Sequence, residues 1–312
     1  MSTALLISNE FARHKTMEGH PECPARISAV QKGIVNIGLI DSLQLLPQRK
    51  ATDVEVAYCH DPRYISGVLK LIREGEETLA GGDVSVSEDS GEVALLAAGG
   101  VLNAVDAVLK KEVDNAFCAV RPPGHHARPA AAMGFCIFNS ISIAARYAQK
   151  KYGLERVAIV DWDVHHGNGT QEIFYEDNSV FFFSTHQNPW YPGTGMHDET
   201  GEGRGSGFTL NRPFHAGSGG REIIGAFKDD LLPALEKFRP ELILISAGFD
   251  SRAGDPLGNF QLTDADFALL TSMLLDAAAK HCEGRLISVL EGGYSLSGLA
   301  SAAGAHVGAL VG

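Results

Sequence analysis

The stretch VDWDVHHGNGTQ, Val160 to Gln171, sets two aspartates and two histidines side by side straight after the apolar run RVAIV. Ionised groups are costly to desolvate, so this placement calls for a counter-charge. In an extended chain alternate residues share a face. Asp161, Asp163 and His165 then point one way, and Trp162 and Val164 the other. A carboxylate and an imidazole two residues apart on one face suit chelation of a cation. SAGFD offers a third ligand, Asp250, at the end of another apolar run. Two carboxylates and one histidine leave a coordination position open for water or substrate, which is the catalytic type of zinc site. A salt-bridged or capping cluster is the competing reading of any one of these side chains.

RPPGHHA supplies tandem histidines, His125 and His126, after a Pro-Pro-Gly turn that excludes helix. One imidazole could take a proton from water while the other returns it to a leaving group. Each needs an acceptor on its second nitrogen, and Asp161 and Asn168 are candidates. LEGGY places Tyr294 where a phenol could donate to a developing oxyanion. Surface histidines and a structural tyrosine are the competing readings.

Short β-rich runs must carry these groups: ALLIS, FCAV, RVAIVD, SVFFFS, ELILISAG and RLISVLEGG. Helical periodicity lies between most of them, over Val93–Leu109, Ser140–Lys151, Arg221–Phe238 and Asp264–His281. Strand–helix alternation with near-continuous apolar strands predicts a single three-layer α/β/α domain over 1–312 with a mostly parallel central sheet. Ligands bind at the carboxyl ends of such strands, where the polar groups above sit. The Gly-rich piece Gly193–Gly207 reads as a long surface loop. Phe181, Phe182 and Phe183 read as core, Met133 as packing and Cys136 as a wall residue.

The chain has 312 residues, 45% hydrophobic, which suffices for a large core. Its net charge of -12 argues against nucleic-acid and anionic-lipid surfaces and favours cationic substrates. Five scattered cysteines without CxxC point to a reducing compartment. MSTALLISNEFARHK reads as a first strand and not a secretory leader, and no apolar run is expected to span a bilayer.

GHPECPARI, AVRPPGHHA, MGFCIFN, VDWDVHHGNGTQEIF, FFSTHQNPWYPGTG, SAGFDSRAGDPLG and VLEGGY occur in that order from His20 to Tyr294. On these motifs the chain resembles the histone deacetylase family, within it the class II and bacterial histone-deacetylase-like amidohydrolases of the arginase–deacetylase fold. The resemblance implies a zinc-dependent amidohydrolase that removes acetyl or short acyl groups from lysine side chains or a related N-acetylated amine. It implies one zinc held by Asp163, His165 and Asp250, with His125 and His126 handling the proton, Asp161 and Asn168 behind them, and Tyr294 polarising the carbonyl. Phe135 and Tyr191 match the walls of the acyl tunnel, Gly134 lines it, Leu257 matches the gatekeeper and Asp83 the rim aspartate. Arg26 matches an arginine near an internal acetate channel. One or two structural potassium ions follow: one beside the zinc at Asp161, Asp163, His165, Ser184 and Thr185, and an outer one on backbone oxygens of Phe174, Asp177, Val180 and Phe214.

HHARP replaces the usual HHAEP, so Arg128 is expected to change the charge near the site mouth, and FNS replaces FNN at Ser140. The resemblance implies an acetylated lysine peptide or protein, or a small N-acetyl amine, as partner. A cytoplasmic enzyme of bacterial or organellar type follows, compatible with a homo-oligomer. Acetylpolyamine deacetylation is the rival reading, although Leu257 stands where polyamine-selective relatives can carry an acidic gatekeeper. Arginase-like chemistry needs a second carboxylate where this chain has Arg252. An inactive acyl-lysine-binding module is disfavoured because every catalytic position is filled.

Overall fold

The computed structural model describes residues 2–312. Among the described residues ten strands form: β1 (Thr3–Ile7), β2 (Leu43–Leu45), β3 (Thr78–Leu79), β4 (Val84–Ser85), β5 (Asn115–Ala119), β6 (Val157–Asp161), β7 (Val180–Gln187), β8 (Thr209–Phe214), β9 (Leu242–Ala247) and β10 (Leu286–Leu290). The helices are α1 (Ala25–Asn36), α2 (Asp53–Val56), α3 (Pro62–Arg73), α4 (Ser90–Leu109), α5 (Ser140–Tyr152), α6 (Asn168–Phe174), α7 (Gly220–Ala226), α8 (Leu232–Phe238), α9 (Asp264–His281) and α10 (Leu296–Val311). A π-turn over Phe227–Leu231 joins α7 to α8, so the expected helix Arg221–Phe238 runs through with one wide turn.

Eight strands make one sheet in the order β2-β1-β5-β10-β9-β6-β7-β8, and every pairing in it is parallel. β3 and β4 form a separate antiparallel hairpin. The central strands alternate between two buried clusters. Val157, Ile159, Phe182, Leu242, Leu244, Ile287 and Val289 pack on one face with α4 and α5. Ala158, Val160, Phe181, Phe183, Ile243, Ile245, Leu286 and Leu290 pack on the other with α9 and α10. Period-two side chains that are apolar in both phases leave neither face for water, hence helices on both. Truncating one such residue, Leu244→Ala, would cost about 2–5 kcal/mol.

Helix ends follow their local chemistry. Thr263 and Asp266 form a reciprocal capping box at α9, and Asn139 caps α5, which stops at Gly153 with φ +72°. α4 is 20 residues long and apolar enough to cross a bilayer, which the sequence reading did not anticipate. Most of its surface is buried against α5 and the sheet, as in a core helix.

The order of the sheet sets the site. β5, β10, β9 and β6 are consecutive neighbours, and their carboxyl ends lead into His125–His126, Tyr294, Asp250, and Asp163–His165 respectively. Groups far apart in sequence are therefore delivered side by side.

Candidate active site

β6 ends at Asp161, so the next residues are not strand and their shared facing arises differently. Each acidic side chain turns back onto the chain: Asp163 N donates to Asp161 Oδ1 at 3.0 Å, and His165 N to Asp163 Oδ1 at 2.9 Å. These Asx turns keep Asp161, Asp163 and His165 on the site side while Trp162 and Val164 enter the core.

Asp163, His165 and Asp250 each offer a ligand atom, and these atoms lie within 4.8 Å of one another, all buried. His165 Nδ1 is 3.0 Å from Asp163 Oδ1 and 3.2 Å from Asp250 Oδ2. Asp250 Oδ1 accepts Val164 N, while the buried Oδ2 has no aligned donor. An orphaned buried carboxylate oxygen beside a second carboxylate and an imidazole fits a divalent cation. The backbone leaves room for it: a Cβ on Gly292 would lie 2.0 Å from Asp250 Oδ2 and 2.6 Å from Asp163 Oδ2. Without a cation the cluster must hold protons. Burial and the neighbouring Asp163 push Asp250 up to about 7. Burial would lower His165, but Asp163 and Asp250 raise it to about 10. A cation competes for those positions.

The tandem histidines face different partners. His125 Nδ1 lies 2.9 Å from Asp161 Oδ2, and His126 Nδ1 lies 2.7 Å from Asn168 Oδ1 on the first turn of α6. Burial opposes charge on both. Asp161, Asp163 and Glu291 overcome it at His125, which rises to about 10. At His126 burial and the adjoining His125 and His165 act together and hold the imidazole well below its ordinary range. The two imidazoles are therefore pushed in opposite directions, His125 towards the cation and His126 towards the neutral ring.

The tunnel of about 220 Å³ is lined by Asp83, His126, Gly134, Phe135, His165, Trp190, Tyr191, Leu257 and Tyr294. Every tunnel residue expected from the sequence is among them. Gly134 adopts φ +54°, and a Cβ there would meet His126 Cδ2 at 2.3 Å, so only glycine lets the wall approach the imidazole. Asp83 Oδ2 accepts both Gly134 N and the Tyr191 hydroxyl, tying the two walls together. Trp190, which the sequence reading passed over, donates its indole N–H to the Leu257 carbonyl at 2.8 Å. Burial and Asp250 raise the Tyr294 phenol well above its ordinary range despite Arg26, so it is a neutral donor. Arg26 is fully buried, its guanidinium carbon 5.1 Å from the centre of the Tyr294 ring. A larger cavity of about 590 Å³ between α1 and α10 holds none of these groups.

Other expectations divide. Ser184 and Thr185 are buried in β7, with Ser184 paired to Asp161. Phe174, Asp177 and Val180 gather near the start of β7, where Asp177 N donates to Phe174 O. Phe214 does not join them. It pairs with Gln187 at the far end of β7, roughly 23 Å along the strand from Val180. Phe208 sits at the near end instead, its carbonyl accepting Phe182 N. Arg128 also departs from expectation: it pairs with Glu172 and lines a neighbouring cavity with Asn168, outside the tunnel. Arg252 turns away from the ligands to pair with Asp264. Cys136 is buried and its thiol raised by that burial. Glu291 and Asp255, both buried and bonded to the backbone of catalytic segments, were not singled out; a carboxylate directly after the apolar run in VLEGGY was the available signal for Glu291.

The histone deacetylase domain model matches residues 20–310. The chain belongs to the histone deacetylase family. A probable deacetylase of Archaeoglobus fulgidus is 40% identical over 96% of this chain and 83% of its own length. The histone deacetylase-like amidohydrolase of Pseudomonas aeruginosa is 43% identical over 89% of this chain and 73% of its own. Polyamine deacetylase HDAC10 of Rattus norvegicus is 43% identical over 93% of this chain, which spans about half (51%) of that relative. The crystal structure of the HDA15 HD domain superposes with a TM-score of 0.93 at 36% identity, over 99% of this chain and 89% of that one. This histone deacetylase-like chain is thus a deacetylase with the arginase–deacetylase fold, in a family that is zinc-dependent.

Proposed function

We propose that this chain, as one catalytic domain, hydrolyses the acetyl or short acyl amide of an N-acyl-lysine side chain, with one zinc at Asp163, His165 and Asp250. The observation that carries the reading is the orphaned Asp250 Oδ2 facing His165 Nδ1 at the foot of a tunnel that ends on His126 and Tyr294. Bound there, zinc supplies Lewis acidity to the amide carbonyl and to the attacking water. His126, neutral and oriented by Asn168, accepts the water's proton at Nε2 and passes it to the departing amine. Tyr294 donates its hydroxyl proton in a hydrogen bond to the carbonyl oxygen as negative charge grows. His125, held protonated by Asp161, contributes charge and not proton transfer. Phe135 and Tyr191 flank the alkyl chain, Leu257 gates it and Asp83 meets the group beyond it.

We assign structural potassium to Asp161, Asp163, His165, Ser184 and Thr185, and an outer ion to the corner of Phe174, Asp177 and Val180. The residues lining the tunnel include a carboxylate and no Lys or Arg, which favours a second reading, an acetylated polyamine. The likeness to a relative named polyamine deacetylase supports it. We place the enzyme in the cytoplasm or an organelle: all five cysteines are free, and relatives from Arabidopsis thaliana and rice are named chloroplastic.

The experiment is turnover of an acetyl-lysine reporter peptide beside an acetylated polyamine, with elemental analysis of the protein. Both readings expect one zinc per chain, inhibition by a hydroxamate, and a kcat loss of about 100-fold or more in His126→Ala and Tyr294→Phe. Near-full deacetylation by zinc-loaded His126→Ala would overturn the mechanism.

A further inference from the structure

Glu291 is buried and ionisable, and takes no part in the proton transfers described above. It follows β10, the strand that lies between β5 and β9 in the sheet. Its side chain reaches both neighbours. Oε2 accepts Gly124 N at 2.7 Å and His125 N at 3.1 Å, in the turn beyond β5. Oε1 accepts the Ser246 hydroxyl at 3.1 Å, in the strand that leads to Asp250. The backbone of the same segment is held from behind by Arg26, which donates Nη2 to the Glu291 carbonyl and Nε to the Gly293 carbonyl. Among the described residues no other group accepts the Gly124 and His125 N–H bonds.

Two successive N–H groups converging on one oxygen fix both the tilt and the height of a turn. That turn carries His125 and His126, and the segment that continues from Glu291 past β10 carries Tyr294. The imidazole of one and the phenol of the other must meet on a single carbonyl group. A displacement of about 1 Å between such groups costs on the order of 100-fold in rate.

We propose that Glu291 is a positioning residue that sets the histidine turn against Tyr294. The inference rests on the roles given above to His126 and Tyr294. It concerns where those groups stand, so it is expected to act on kcat more than on substrate affinity.

The test compares Glu291→Ala and Glu291→Gln with Ser246→Ala, which removes the third contact on the same carboxylate. In Glu291→Ala kcat is expected to fall about 10- to 100-fold while KM stays within about twofold, with zinc still at one per chain. Gln keeps one acceptor oxygen, so Glu291→Gln is expected to recover part of the loss, and Ser246→Ala to retain the wild-type kcat. Amide hydrogen exchange at Gly124 and His125, followed by NMR in the zinc-free protein, should quicken about tenfold or more in Glu291→Ala and less in Glu291→Gln. Unchanged kcat and exchange in the Glu291 variants overturns the proposal. So does a kcat loss matched in Ser246→Ala, or one that accompanies loss of zinc. If Glu291→Ala fails to fold, Glu291→Gln decides on the same two readouts. Exchange needs no turnover, so it tests the tie even if the wild-type chain deacetylates neither substrate, the outcome that would sink the proposed function instead.

Discussion

His126 Nδ1 lies 2.7 Å from Asn168 Oδ1, an uncharged acceptor. The amide fixes the tautomer that leaves Nε2 free, and it adds no charge that would keep the imidazole protonated. Asn168→Asp therefore converts the base into an imidazolium at neutral pH. The acidic limb of kcat/KM is expected to move to higher pH, with a loss of about tenfold or more at pH 7 that recovers towards pH 9. Asn168→Ala, which loses orientation but gains no charge, should lower kcat at every pH without moving the limb. A pH–rate profile of the two variants separates these effects.

Gly292 offers a way to empty the proposed metal site without touching a ligand. Its amide donates to Asp163 Oδ2 at 2.8 Å, and a Cβ would stand 2.0 Å from Asp250 Oδ2. Gly292→Ala must displace one carboxylate or the other. The expected result is a folded protein by circular dichroism with zinc well below one per chain. Adding zinc at about 100 times its dissociation constant should stabilise the wild type by about 2.7 kcal/mol and the variant by far less. Thermal melts with and without added zinc measure the difference.

The convergence of the candidate ligands, the histidine pair and the tyrosine was legible because each follows an apolar run, and strand ends converge in a parallel sheet. The reason they converge was not fully legible. Alternation along a strand suggested the facing of Asp161, Asp163 and His165, whereas Asx turns after the strand produce it. α1, α3 and α10 and the hairpin bearing Asp83 escaped the periodicity reading. α10 in particular is rich in Gly and Ala, which blur an apolar stripe. Phe214 was misjudged because a residue's height in a sheet depends on register, and register between β7 and β8 is fixed by distant packing. Glu291 and Asp255 act through backbone amides of segments remote in sequence, a relationship no local pattern records.

Two buried histidines away from the ligands make stability depend on pH. His60 Nδ1 faces the Arg128 carbonyl while Nε2 accepts Asn139 N, and burial lowers it to about 4. His306 lies between Thr271 and Ser288, lowered by burial to about 3. Both folded values lie below the ordinary 6.5, so between them the unfolded chain binds more protons. Their contribution is complete above pH 6.5 and is lost as pH falls through 4 and then 3. Each group adds a slope of up to about 1.4 kcal/mol per pH unit in that window. Urea midpoints of the wild type should fall from pH 6.5 to 4.5, and His60→Gln should flatten the fall. An equally steep dependence in the variant would remove His60 as a cause.

Tyr191 and Asp83 come from different segments, and their 3.0 Å hydrogen bond closes the rim of the tunnel. The same Asp83 oxygen also accepts Gly134 N at 2.6 Å, so the carboxylate is held from both walls. Tyr191→Phe keeps the ring, whose centre lies 5.2 Å from that of His126, but frees the carboxylate to swing. A hydrogen bond of this half-exposed kind is worth about 1 kcal/mol, roughly fivefold in affinity. KM for an acetyl-lysine peptide should rise by about that factor while kcat changes less than about twofold, because the wall against the imidazole is intact. Asp83→Asn retains an acceptor and loses the charge. It should affect an acetylated polyamine, whose ammonium stands at the mouth, more than an uncharged N-alkyl acetamide. Steady-state kinetics on the three substrates checks this. Equal losses on all three would show that the pair shapes the tunnel without reading the charge of what lies beyond it.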